Sequence, residues 1–227
     1  MKSKRSSIQL NPISIINHEL KSQLFGIKAY AQLLEKNIQK LNNAKLLGYA
    51  QRVDMQVDKL SYALSDFIDY IKISEKIYSL NQEFVSIDEV VTQTIKIFTS
   101  LFPEIRIKMQ GKTSREVFAD RNKLDKVLYA LLTNAVTYST NTPKITIMLF
   151  QSAKGVEVTV EDNGIGIAKE YESKIFNPFF SIPLEGYKER SGLGLFIAKK
   201  IIEMHGGKLK VESQPKRGST FTCFLPF

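Results

Sequence analysis

Val156-Glu157-Val158-Thr159-Val160-Glu161, running into Asp162-Asn163-Gly164-Ile165-Gly166-Ile167, is the stretch on which the reading of the fold turns. Apolar and polar residues alternate with period two over 156–161, the pattern of a half-buried strand. Two glycines spaced two apart then permit a tight turn and close approach of backbone to a ligand. A second β-like run at 144–150 lies just upstream, and the short segment 151–155 between them predicts an antiparallel hairpin.

Working outward, further β-like runs fall at 84–87, 105–109, 208–212 and 220–225. Helical periodicity covers about 88–101, 121–138 and 192–204. Strands mixed with helices, some strands adjacent, predict an α+β sandwich with helices on one face of a mixed sheet. The segment 177–191, containing Pro178, Pro183 and Gly186 and little periodicity, reads as a mobile loop.

Ahead of residue 80 the period changes. Ile13, Ile16, Leu20, Leu24, Ile27, Ala31, Leu34, Ile38 and Leu41 recur at steps of three and four, and Leu46, Ala50, Val53, Val57, Leu60, Leu64, Phe67 and Ile71 repeat the pattern. A period near 3.5 residues marks a bundle or coiled-coil seam. The short polar break at Asn42-Asn43 predicts antiparallel neighbours. A lone hairpin covers its seam on one side only, so a second copy is expected, giving a dimeric four-helix bundle. The alternative is a hairpin packed on the rest of the chain. The expected domains are therefore 1–80, a helical hairpin, and 81–227, the α/β sandwich.

Composition narrows the class. Hydrophobic residues make up 43% and charged residues 24%, values of a folded chain. No apolar run reaches the roughly 18–20 residues of a membrane-spanning helix. Cys223 is the sole cysteine, which excludes a disulfide framework or a cysteine-rich metal site. These features predict a cytoplasmic location. The net charge of +9 is spread along the chain: residues 1–80 carry 12 basic and 7 acidic residues, and the remainder 20 and 16. Without a long basic run or an aromatic-basic motif, no specific nucleic-acid partner is expected. A favourable field for an anionic nucleotide is the milder reading.

Four groups of residues can carry chemistry. His18 is two residues from both Ile16 and Leu20, hence about 200° round from the seam and facing water. Glu19 is adjacent and Ser22 lies one turn along the same face. An imidazole beside a carboxylate can act as a nucleophile whose proton is accepted as it attacks. Asp162 could accept from an exocyclic amine such as adenine's, although a plain Asn-Gly turn fits the same residues. Gly192 and Gly194, in Ser191-Gly192-Leu193-Gly194-Leu195, would free backbone N–H groups for a phosphate at a helix start, or form only a flexible helix start. Asn134, on a helix opening with Asp120, Asn122 and Asp125, reads as a structural hydrogen-bonder or as a ligand of hydrated magnesium.

In this order and spacing the motifs resemble the core of a sensor histidine kinase. His18-Glu19-Leu20-Lys21-Ser22-Gln23-Leu24 resembles the family's H box, and Leu131-Leu132-Thr133-Asn134-Ala135-Val136-Thr137-Tyr138-Ser139 its N box. Residues 162–167 resemble the first glycine box, Phe176-Asn177-Pro178-Phe179-Phe180 the aromatic box, and Gly192-Leu193-Gly194-Leu195 the second glycine box. His205-Gly206-Gly207 and Gly218-Ser219-Thr220-Phe221 are similar to the closing strands.

The resemblance implies a dimerisation and phosphotransfer hairpin followed by a gyrase/Hsp90-type ATP-binding domain. By it, Asp162 reads the adenine amino group, Gly164 and Gly166 shape the pocket, and Tyr138 lines the base. Asn134 would coordinate Mg2+, 177–191 would be the ATP lid, and Gly192 and Gly194 would lie at the phosphates. Ser219 joins the nucleotide-binding set, and His205 is structural. Lys188 and Arg190, by charge and position in the lid, are expected to meet the γ-phosphate. The implied reaction is transfer of that phosphoryl group to His18, with Glu19 orienting the ring, then to an aspartate of a response regulator.

Some positions depart from the family's pattern. Ser22-Gln23 stands where threonine or asparagine and then proline are usual, so the first helix should run straighter, while the Ser22 hydroxyl can still position water. Ala130 and Thr137 replace a frequent asparagine and lysine. These departures motivate the alternative of a nucleotide-binding scaffold, a pseudokinase that regulates a partner. Only about a dozen residues precede the hairpin, so the sensor, and any membrane attachment through it, is expected in a longer receptor or another chain.

Overall fold

The computed structural model describes residues 12–40, 44–139, 142–182 and 191–227, excepting the side chains of residues 12–19, 40, 44 and 55. The chain divides between Lys72 and Ile73 into two compact units.

The first unit is formed by α1 (Pro12–Lys40) and α2 (Ala44–Ser74). Proline suits the opening of α1, where its fixed φ is helical and its missing N–H has no intrahelical partner. The helix runs unbroken through Gln23. Lys28 Nζ lies 2.5 Å from Asp58 Oδ1, and Gln51 donates to Glu35 at 3.2 Å. Partners whose numbers fall on one helix as they rise on the other show that the pair is antiparallel. The apolar seam resolves into two series, each with a seven-residue step. Leu24 and Ala31 on α1, with Ala50 and Val57 on α2, are buried. Leu20, Ile27 and Leu34, with Leu46, Val53 and Leu60, remain 41–58% exposed. Each helix thus has one of its two seam positions covered.

In the second unit, β1 (Glu83–Val85) pairs antiparallel with β3 (Val117–Ala119) in a small two-stranded sheet. The main sheet has five strands in the order β2 (Arg106–Gln110), β4 (Lys144–Gln151), β5 (Gly155–Asp162), β7 (Gly218–Pro226), β6 (Lys208–Gln214). Only β2 and β4 run parallel, so the sheet is mixed, in an α+β fold as expected. The three helices are α3 (Ile87–Leu101), α4 (Arg121–Thr137) and α5 (Gly194–Met204).

Alternation decides which face of the sheet is buried. Ile145, Ile147 and Leu149, Val156, Val158 and Val160, and Phe221, Cys223 and Leu225 form the inner face. Against them the helices bury Val90, Val91 and Phe98, then Leu124, Leu128, Leu131 and Leu132, then Ile197, Ile201 and Ile202. Each such side chain contributes about 1.5–3 kcal/mol by leaving water. Ser86 caps α3 by accepting from Glu89 N at 3.4 Å, and Asp120 caps α4 by accepting from Lys123 N at 3.1 Å. Burial pushes the Cys223 thiol up to about 12, leaving it inert.

Two details differ from the expected pattern. β3, only three residues long, offers too little alternation to be read from sequence. The last helix opens at Gly194 and not at residue 192, because Gly192 takes φ +65°, outside the helical region. The boundary between the compact units lies at residues 72–73, ahead of the change of period near residue 80. Tyr78 is buried, with Lys123 Nζ 4.3 Å from its ring, so the segment after α2 is already part of the second unit.

Candidate functional site

Asp162 ends β5, paired across from Ile145 of β4. Its Oδ1 accepts two backbone hydrogen bonds, from Gly164 N at 2.8 Å and Ser219 N at 3.2 Å. Oδ2 accepts none from the described residues. Burial raises the carboxyl above its usual pKa, against the lowering effect of the Gly164 and Ser219 N–H groups. The arrangement is an aimed acceptor: one oxygen is engaged twice by the fold, and the other has no donor among the described residues.

The turn after Asp162 is held from both sides. Ile165 N donates to the Tyr138 carbonyl at 3.0 Å, and Lys216 N donates to the Ile165 carbonyl at 2.6 Å. A Cβ at Gly164 would lie 2.8 Å from both Asp162 Oδ1 and the Tyr138 carbonyl oxygen. Gly166 has φ +70°, and a Cβ there would meet the Gln214 carbonyl oxygen at 1.9 Å. Both glycines are therefore required by the protein's own packing. Asn163 fixes the other edge, accepting from Lys144 N at 2.8 Å.

Ser219 has its hydroxyl turned inward. It is buried, and Ser213 Oγ lies 2.9 Å away. Since Ser213 donates to the Gly218 carbonyl at 2.8 Å, the hydrogen between the two serines comes from Ser219. Ser213 also accepts from Ile167 N at 2.8 Å. The geometry makes Ser219 a support of Asp162 through its backbone N–H. Ser213 went unread in the sequence, as did the Tyr138 carbonyl: a lone serine in a polar strand and a main-chain oxygen leave no signal.

α4 brings Asn134 and Tyr138 to the same end of the unit as this turn. The Asn134 amide is half-buried and has no hydrogen-bond partner among the described residues. An amide so placed fits an oxygen-seeking cation. Tyr138 caps α4 with its N–H on the Asn134 carbonyl at 3.0 Å. Thr137, where lysine is frequent in the resembled pattern, turns its hydroxyl back to the Thr133 carbonyl at 2.7 Å.

The second glycine pair divides in role. At Gly192 a Cβ would come within 2.6–2.8 Å of the backbone of Phe179 and Phe180, so glycine is demanded internally. At Gly194 the nearest atom, Ala130 Cβ, would be 3.8 Å away, an ordinary contact. Among the described residues no side chain caps the N-terminus of α5. In the aromatic box, Phe176 lies 5.0 Å from Lys199 Nζ, and Phe180 stacks obliquely 6.0 Å from Tyr171. Lys188 and Arg190 lie outside the described residues. His18 and Glu19 lie on α1, with side chains outside the description, and Ser22 is exposed on the same helix.

His205, at the end of α5, is buried and uses both ring nitrogens. Nδ1–H donates to the Ile201 carbonyl at 2.7 Å and Nε2 accepts from Asp120 N at 2.9 Å. A carbonyl can only accept and an N–H can only donate, which fixes the neutral Nδ1–H tautomer.

Comparison with known proteins gives this geometry a family. Residues 119–227 match the histidine kinase-, DNA gyrase B- and HSP90-like ATPase family. The sensor histidine kinase ZraS of Escherichia coli (strain K12) is 29% identical over 230 residues, covering 100% of this chain and 47% of ZraS. The catalytic domain of histidine kinase ThkA is 30% identical, with a TM-score of 0.57 over 65% of this chain and 96% of that domain. Full-length ShkA, solved in complex with AMPPNP, shares the fold with a TM-score of 0.73 at 21% identity, over 95% of this chain and 46% of ShkA. The chain belongs to the histidine kinases: it is a kinase core with an ATP-binding domain. It spans about half or less of the length of the sensor-kinase relatives. Among the described residues no helix is long and apolar enough to cross a membrane.

Proposed function

We propose that the chain is the catalytic core of a two-component sensor kinase that phosphorylates itself on His18 and passes the group to an aspartate of a response-regulator receiver domain. The observation that carries this reading is Asp162, with one oxygen tied by Gly164 and Ser219 and the other left for the amino group of adenine. Tyr138 would line the base, with Gly164 and Gly166 keeping the turn narrow beside it. The room for a Cβ at Gly194 and the uncapped start of α5 support a phosphate site, since nothing among the described residues requires glycine there. Lys188 and Arg190 would add positive charge at the γ-phosphate.

Asn134 would hold Mg2+ through its amide oxygen, because that amide has no partner among the described residues. When bound, magnesium neutralises charge on the phosphates. In the transfer, a ring nitrogen of His18 attacks the γ-phosphorus and forms the N–P bond. The bond to the β–γ bridging oxygen breaks, and ADP leaves. The ring proton passes to Glu19, which also orients the imidazole. Most of the barrier reduction is asked of positioning and charge neutralisation. Ser22, exposed beside His18 in sequence, would hold water for the reverse, hydrolytic step.

The exposed seven-residue series on α1 and α2 supports a homodimer through the hairpin, since a second copy would cover it. The requirement for ATP and a receiver partner places the core on the cytoplasmic side. Incubation with γ-labelled ATP should give acid-labile, alkali-stable label that His18→Gln abolishes. Equal labelling of His18→Gln would refute the acceptor and this mechanism with it.

A further inference from the structure

The segment that leaves α2 is fastened to α4 by one carboxylate. Asp120 Oδ2 accepts from Asn81 N at 2.8 Å, while Oδ1 accepts from Lys123 N at 3.1 Å and so caps the helix. Its own N–H donates to His205 Nε2 at 2.9 Å. Asp120 and His205 are both buried, as is Tyr78 three residues before Asn81. Lys123, the residue whose N–H is capped, extends its ammonium over the Tyr78 ring at 4.3 Å. Just beyond, Gln82 Nε2 donates to the Phe118 carbonyl at 3.1 Å. Residues 78–82 are therefore moored to the start of α4 by a buried polar knot with a ring and a cation beside it.

The far end of α4 is moored as well. Asn134 is 14 residues from Asp120, about 21 Å along a helix. Tyr138 then gives its carbonyl to Ile165 N, in the turn that follows Asp162. Between these ends Leu124, Leu128, Leu131 and Leu132 are buried, and close packing along that face resists local bending of the helix.

We propose that Asp120 is a positioning residue that couples the junction after the helical hairpin to the nucleotide site, through α4. This deepens the nucleotide reading above and rests on it. Docking residues 78–82 restrains one end of α4, and a nucleotide at the Asp162 turn restrains the other. Each event lowers the ordering cost of its counterpart, so each strengthens the other by the same factor. A state of the hairpin that pulls residue 81 away would lower nucleotide affinity without touching the site.

The two oxygens of Asp120 allow a clean test in the full chain. Asp120→Asn keeps one oxygen for the Lys123 cap, where asparagine serves as well as aspartate. The amide NH2 then faces Asn81 N, two donors together, and the junction is released. Hydrogen exchange of peptides covering 78–83 is measured with and without AMPPNP, beside calorimetry of its binding. In the parent chain the nucleotide should slow exchange there. In Asp120→Asn exchange should rise about ten-fold or more, the nucleotide-dependent slowing should vanish, and affinity should fall several-fold. A purely structural cap would leave all three readouts as in the parent, and that result overturns the proposal. Released exchange with unchanged affinity overturns the coupling. A parent chain that binds no nucleotide refutes the reading beneath it and the coupling together.

Discussion

Asp162→Asn isolates what the carboxylate does. In the folded chain Oδ1 is held by the N–H groups of Gly164 and Ser219. Asparagine must place its single oxygen there, because an NH2 group facing two N–H donors would leave three donors without an acceptor. The NH2 then occupies the Oδ2 position, where it meets the amino group of adenine as donor against donor. A hydrogen bond to a charged acceptor is worth about 1.5–3 kcal/mol, so ATP affinity should fall by roughly 10–150-fold. Inosine triphosphate presents a carbonyl at that position of the ring, and the variant should bind it better than the parent does.

Stability should move the other way. Burial raises the folded-state pKa of Asp162 above 3.8, so the folded chain binds this proton more tightly than the unfolded one. The group's contribution therefore declines as pH rises from the unfolded pKa through the raised folded value, and it is least favourable above that window. The variant lacks the penalty, and near neutral pH its melting temperature should equal or exceed the parent's. ATP binding by the parent should weaken as pH falls into the same window, a dependence absent from the variant. Calorimetric titration with both nucleotides and a thermal melt check each arm. Unchanged ATP affinity, or a marked loss of melting temperature, would refute the assignment of Oδ2 as the base-reading atom.

Gly166→Ala should destabilise the second unit by about 1–3 kcal/mol, since its Cβ meets the Gln214 carbonyl oxygen at 1.9 Å and φ is +70°; urea unfolding measures it. Ile27→Glu, on the exposed series of α1, should shift the chain from dimer to monomer in sedimentation while nucleotide binding persists. A variant that stayed dimeric would remove this face from the interface.

Much was legible in the residues themselves. Periods of 3.5 and 2 separated the hairpin helices from the sandwich strands, because burial on one face is written directly into which positions are apolar. Asp162, Asn134 and the glycine pairs stood out because side-chain chemistry at a turn or on a helix is local. Strand β3 and the supporting hydroxyl of Ser213 did not, since a three-residue strand and a long-range partner have no local period.

What tertiary structure decided is the division of labour within those motifs. Sequence treats Gly164, Gly166, Gly192 and Gly194 alike, yet among the described residues the fold crowds the first three and leaves room for a Cβ at the fourth. It turns Ser219 inward to hold Asp162 and makes Asp120 serve the helix cap and residue 81 at once. The residue types that can donate, accept or bend are set by sequence. Which partner each one meets depends on strands and helices far apart in the chain closing around it, and that distance of closest approach exists only in the folded state.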